Sequence, residues 1–166
     1  MYTRKTWREK MESPTLPKVV KASGEAAKRF GGRTVLVPHP RDVEAVIRTV
    51  RRGRVITIGQ IRQYLAGKYQ TESTCPLTTG IFIRLAAEAA EEDARAGKNK
   101  ITPYWRVIKD DGSLNPKFPG GLRAQMERLL DEGQMIDTSR KIPRVMANVG
   151  QASKLHRSAV ASAIPK

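Results

Sequence analysis

The stretch TPYWRVIKDDGSLNPKFPGGL, residues Thr102 to Leu122, decides how the rest of the chain is read. Two large rings, Tyr104 and Trp105, follow Pro103 and precede Arg106, although only 5% of the chain is aromatic. Val107-Ile108-Lys109 and Ser113-Leu114 flank Asp110-Asp111-Gly112, a turn signal between two short apolar runs. This predicts a small hairpin, or wing. A second loop then ends in Phe118-Pro119-Gly120-Gly121, and a closing amphipathic helix is expected from Leu122 to Glu132. Leu122, Met126, Leu129 and Leu130 would face inward, with Gly133 as the cap.

Two helices are expected in front of the wing. Thr57 is a candidate N-cap with Gln60 three residues later, as in a capping box. Ile61, Tyr64 and Leu65 would be its buried stripe. A turn rich in Gly, Ser and Thr runs from Gly67 to Thr74. Pro76 suits the first position of a second helix, whose stripe of Ile81, Phe82, Leu85, Ala86 and Ala89 continues to about Arg95. Helix, turn and helix within some 40 residues fit a helix-turn-helix or an ordinary pair of antiparallel helices. Spacing leaves the two open, and the basic charge favours the first.

Further upstream, Val43, Val46, Ile47 and Val50 recur at helical spacing after Pro40. Asp42 lies in the first turn, where a carboxylate is favoured. Arg51-Arg52-Gly53-Arg54 is expected to end that helix, with Gly53 in the left-handed C-cap. Residues 1–40 read as a basic arm docked on the core through Trp7 and Phe30. The arm would hold a short helix at Gly24–Phe30 and a strand at Thr34–Val37. Residues 41–136 read as the winged-helix domain. Residues 137–166 read as a basic extension, with one strand near Ile142–Met146 and a flexible tail beyond Gly150.

The 166 residues suffice for one core. Lys and Arg number 31 against 16 Asp and Glu, a formal net charge of +15 with a pI near 10.4. That excess points to a polyanionic partner, nucleic acid first. No run reaches the about 18 apolar residues of a membrane span, and the charged N-terminus does not read as a secretory signal. A cytoplasmic, nucleoid-associated monomer without membrane contact is expected. One cysteine, Cys75, excludes an internal disulfide, and His39 and His156 with it make no zinc site. No metal or cofactor is expected.

The order of pieces has a counterpart. GRVITIGQI (residues 53–61), PYWRVIKDDGSL (103–114), FPGGL (118–122) and LLDEG (129–133) resemble, in order and spacing, the DNA-binding domain of the O6-alkylguanine-DNA alkyltransferases and their alkyltransferase-like relatives. The resemblance covers about Asp42 to Ile136. It implies a mainly α fold with a small β wing, a winged helix-turn-helix that enters the minor groove and draws a damaged guanine into a pocket. It places that pocket at Pro103, Tyr104, Trp105, Arg106, Phe118, Pro119, Gly120, Gly121 and Glu132. Active members carry the alkyl-accepting cysteine in a P-C-H-R loop, activated through the histidine and a glutamate.

This chain departs from that pattern at the chemistry. Tyr104 stands at the cysteine position and Trp105 at the histidine position. A phenol of pKa about 10 is a poor acceptor at neutral pH, and indole is no base. Ile58 replaces the tyrosine that helps rotate the target phosphate, and the arginine finger has no equivalent among Thr74 to Thr78. Flipping costs a few kcal/mol of unstacking, so these losses bear on it directly.

Two readings of the rings stand. Tyr104 and Trp105 line a sensing pocket, where stacking contributes about 1–3 kcal/mol per base, or they fill the vacated space as core. Cys75 precedes Pro76 at a helix N-terminus, where a thiol is activated. It is either a relocated nucleophile or a small buried hydrophobe. The expected DNA contacts are Arg51, Arg52, Arg54, Thr57, Gln60, Arg62, Thr78, Thr79, Gly80, Arg84 and Lys109. The reading is a non-enzymatic binder of double-stranded DNA that senses O6-alkylguanine and recruits repair proteins. The alternatives are a DNA alkyltransferase using Cys75 and a sequence-tolerant nucleoid or RNA-binding protein.

Overall fold

A computed structural model describes residues 3–146. The expected flexible tail beyond Gly150 lies outside the described residues. In chain order the elements are α1 (Trp7–Lys10), β1 (Lys18–Lys21), α2 (Gly24–Phe30), β2 (Thr34–Val37), α3 (Pro40–Arg48), β3 (Ile56–Thr57) and α4 (Ile58–Tyr69). There follow β4 (Ser73–Thr74), α5 (Pro76–Arg95), a single 3-10 turn at Tyr104–Arg106, β5 (Val107–Ile108), α6 (Gly121–Asp131), β6 (Ile136–Asp137) and β7 (Arg144–Val145). The fold is mixed α/β, about half helical with small sheets. The mainly α expectation undercounted the strands. Among the described residues no helix is long and apolar enough to cross a membrane.

The core grows from α3 and α5. His39 caps α3 by accepting from the Arg41 amide, and Pro40 takes the first turn, where its missing N–H costs nothing. Val43, Val46 and Ile47 then fall on one face and are buried. Ala86, Ala87, Ala89 and Ala90 of α5 are fully buried beside them. Methyl side chains let two helix backbones approach closely. Each buried Val, Ile or Leu of this cluster contributes about 1.5–3 kcal/mol. The helix α3 stops at Thr49, whose hydroxyl donates to the Val46 carbonyl. Gly53 is left-handed as expected (φ +80°) but turns the following loop instead of capping α3.

The capping box of α4 forms as read. Thr57 Oγ1 accepts from the Gln60 amide at 3.1 Å, and Gln60 Oε1 accepts from the Thr57 amide at 2.9 Å. Asp110 adds a second cap by accepting from the Gly59 amide at 2.7 Å. The stripe of α5 follows the expected one at Ala86 and Ala89, with Phe82 and Leu85 half-buried against the core, and departs from it at Ile81. Thr79, Ile83, Ala86, Ala87 and Ala90 face the core, while Ile81 is 53% exposed. On α6, Leu129 is fully buried but Leu130 is 50% exposed, and Gln125 takes the inward place instead.

Three small sheets hold the pieces together. In the first, β1 runs antiparallel to β2 and β4 parallel to it, with Val35 opposite Ser73. The second pairs β3 with β5 in parallel, Ile56 opposite Val107. The third pairs β6 and β7, Ile136 opposite Val145. The expected two-stranded wing is therefore absent from the described residues. Its turn forms, with the Lys109 amide donating to the Ser113 carbonyl at 2.9 Å. Beyond Gly112 (φ +86°) the chain pairs with the 143–145 segment, the Leu114 amide donating to the Pro143 carbonyl and the Val145 amide to the Gly112 carbonyl.

The arm is clamped onto α3 and α5. Glu92 accepts from the Arg8 amide at 2.8 Å, and Arg8 Nη1 donates to Glu44 at 2.9 Å. Arg8 also pairs with Asp93, and Met11 is fully buried. Trp7 packs against the core as expected. Phe30 is half-buried, its carbonyl accepting from the Ser73 hydroxyl.

Candidate functional site

The short turn at Tyr104–Arg106 lies between the C-terminal half of α5 and α6. Burial of hydrophobic neighbours sets its shape. Tyr104 is 2% exposed. Its ring meets Trp105 and Phe118 edge-on, with centroids 5.4 and 5.3 Å apart. The phenol donates to Glu91 Oε1 at 2.6 Å, and Arg128 donates to the same oxygen at 2.6 Å. Burial pushes this phenol well above its ordinary pKa and the bond to Glu91 adds to the shift, while Arg128 opposes both. Tyr104 is thus a core residue, not the wall of an open pocket, because Phe118 fills the space facing it.

Trp105 is half-buried and sits on a charged support. Its indole N–H donates to Glu132 Oε1 at 3.0 Å. Arg106 donates to the same carboxylate through Nε at 2.9 Å and Nη2 at 2.7 Å, and through Nη1 to the Val50 carbonyl at 2.6 Å. Arg128 lies over the Trp105 ring at 4.3 Å, within cation–π range. Burial would raise the Glu132 pKa, but the bonds from Arg106 and Trp105 outweigh it and hold the carboxyl below its ordinary range. Glu132 is therefore a charged brace under Trp105 and Arg106. A shallow cleft of about 350 Å³ lies beside Trp105, with Arg48, Lys100 and Pro103 in its wall. Another, of about 360 Å³, is bounded by Arg52, Trp105 and Arg128.

The FPGG segment turns sharply into α6. Gly120 (φ +77°) and Gly121 (φ +71°) are both left-handed, and a Cβ on Gly120 would come within 2.5 Å of the Ala124 Cβ. Pro119 is half-buried and Gly120 exposed. Gln125 ties the turn together: it donates to the Trp105 and Val107 carbonyls at 3.1 and 2.9 Å and accepts from the Asn115 amide at 2.8 Å. The sequence reading missed Glu91, Gln125 and Arg128. Gln125 left one signal, a polar residue at an inward position of the closing helix.

The expected DNA contacts separate by exposure. Arg51, Arg52, Arg54 and Arg84 are exposed, and Arg62, Thr78, Gly80, Gln60 and Lys109 are half-buried. Thr57 and Thr79 are buried, and both hydroxyls act locally: Thr79 Oγ1 donates to the Cys75 carbonyl at 2.7 Å. These two therefore leave the surface set. Arg52 pairs with Asp131 at 3.0 Å at the end of α6, whereas Arg62 Nε donates to the Thr74 carbonyl at 2.8 Å at the start of α5. The arginines thus serve two separate elements. Arg106 is committed to Glu132. Cys75 is buried, with its carbonyl held by Thr79. Among the described residues no cluster of His, Cys, Asp or Glu could hold a metal ion.

No family model matches the chain, and no curated protein matches it. Among solved structures, the chain is similar to Atl1 of S. pombe, an alkyltransferase-like protein described in complex with damaged DNA containing O6-carboxymethylguanine. The two are 21% identical over 68% of this chain and 91% of that one, with a TM-score of 0.47.

Proposed function

We propose that this chain binds duplex DNA through α4 and α5 and transfers no alkyl group. The observation that carries the second half is Tyr104. It stands where the sequence resemblance places the acceptor, yet it is 2% exposed with its phenol bonded to Glu91. A phenol held neutral in a core is no nucleophile. The transfer route through Cys75 is disfavoured by the burial of that thiol. The excess of 31 basic over 16 acidic residues supports the first half.

Sensing of O6-alkylguanine at this loop requires Tyr104 and Phe118 to part, because their rings are in contact. Recruitment of repair proteins would follow only from that sensing. A competition assay at near-physiological salt tests the reading. It sets a duplex with one O6-methylguanine against the same duplex intact, with mass spectrometry of the recovered protein. Binding without added mass is expected. A methyl group gained by Cys75 would replace this reading with an enzyme, and failure to bind either duplex would end it.

A further inference from the structure

The first half of α5 carries a surface that the core does not use. Leu77 is 69% exposed and Ile81, one turn on, is 53% exposed. Both lie away from Thr79, Ile83 and Ala86, which face inward. Together they leave a small apolar ridge on the outer face of the helix. Gly80 sits between them. A Cβ there would meet nothing within 4 Å, and its backbone is ordinary helix, so nothing inside the molecule calls for glycine. Glycine is among the poorest residues for a helix interior. Its use here leaves the backbone open to something approaching from outside.

Charge identifies what approaches. From Pro76 to Ala87 the helix has no acidic residue, and its acids begin at Glu88. Arg84 extends the same face and is exposed. Arg62 of α4 reaches the start of α5 through its bond to Thr74. A basic-rimmed apolar ridge suits a duplex, which offers phosphates to arginines and stacked base pairs to an apolar wedge.

We infer that Leu77 and Ile81 form a wedge that enters between base pairs of duplex DNA, with Arg62 and Arg84 on the flanking phosphates, and that the protein thereby prefers duplexes with weakened stacking. The inference rests on the DNA-binding reading above but needs no base captured at Tyr104. Mismatches and flexible steps are the preferred sites, since less stacking is lost there.

The test compares the full chain with the double variant L77A/I81A. The probes are a duplex with 2-aminopurine beside a single mismatch and its fully matched counterpart, at one salt concentration. The parent chain is expected to bind the mismatched duplex about tenfold more tightly, a tenth of the dissociation constant, and to raise the 2-aminopurine fluorescence. The double variant should lose more affinity for the mismatched duplex than for the matched one, so that the preference and the fluorescence rise both disappear. Leu77→Ile keeps an apolar tip and should retain both. A double variant that retains both would overturn the wedge, as would a parent chain that binds the two duplexes equally without a fluorescence rise. A parent chain that binds neither duplex overturns the DNA-binding reading itself, and the wedge with it.

Discussion

Tyr104 and Glu132 hold the 104–106 turn from two sides, one by packing and one by charge. Tyr104→Ala should cost about 3–5 kcal/mol of stability, the range for losing a buried aromatic. Tyr104→Phe should cost only about 0.5–1.5 kcal/mol, because Arg128 still pairs with Glu91. Denaturant melts of both variants measure the difference, and a near-neutral Tyr104→Ala would show that the ring faces open space. Glu132 makes a pH prediction. Its side chain is 3% exposed and its carboxyl is held below the ordinary value of 4.5. A depressed carboxylate contributes stability that is present above the unfolded value and lost as pH falls through the folded one. Glu132→Gln should therefore flatten the acid limb of the stability profile below pH 4.5. At neutral pH it should cost about 3–5 kcal/mol, since Arg106 is left buried without its partner.

The helices show where local signals suffice and where they mislead. Thr57, Pro40 and Pro76 set helix starts as their chemistry dictates, because a cap acts on amides two or three residues away. The inward faces of α5 and α6 were less legible. Ile81 and Leu130 are apolar and at plausible spacing, yet both are exposed, while Thr79 and Gln125 are buried. Periodicity ranks faces by hydrophobicity and cannot foresee that a buried Gln will satisfy three backbone groups. Gly80 gives a test at this scale. Gly80→Ala should raise stability by about 0.5–1 kcal/mol, the helix-interior difference between the two, as read by thermal melting. The same change should weaken DNA binding, and a gain in both would separate Gly80 from the interface.

At the scale of the whole molecule, charge and the docked arm dominate. The formal net charge is +15. If duplex binding uses these cations, log affinity should fall with log salt by about 0.9 for each phosphate contacted. A flat response in a binding titration would remove every nucleic-acid reading. The arm depends on Arg8, which joins Glu44 and Asp93, both nearly buried. Arg8→Ala leaves those carboxylates without their main partner. Limited proteolysis should then cut the first dozen residues well before the rest, and an unchanged pattern would mean that Met11 and Trp7 hold the arm alone.

The sequence by itself determined the helix starts at Pro40, Thr57 and Pro76, the left-handed Gly53 and the absence of a thiol at positions 104 and 105. Each of these follows from residue chemistry or from contacts a few positions apart. Tertiary structure alone decided the rest. The strand β4 exists because Ser73 and Thr74 meet β2, and two residues cannot declare a strand on their own. Ser113 pairs with Arg144, a partner 31 residues along the chain. Tyr104 became core because Phe118 and Glu91 arrive from either side of it in the chain. Arg8 reaches Asp93 across 85 residues. Such contacts depend on the geometry of the assembled helices, which no local pattern encodes.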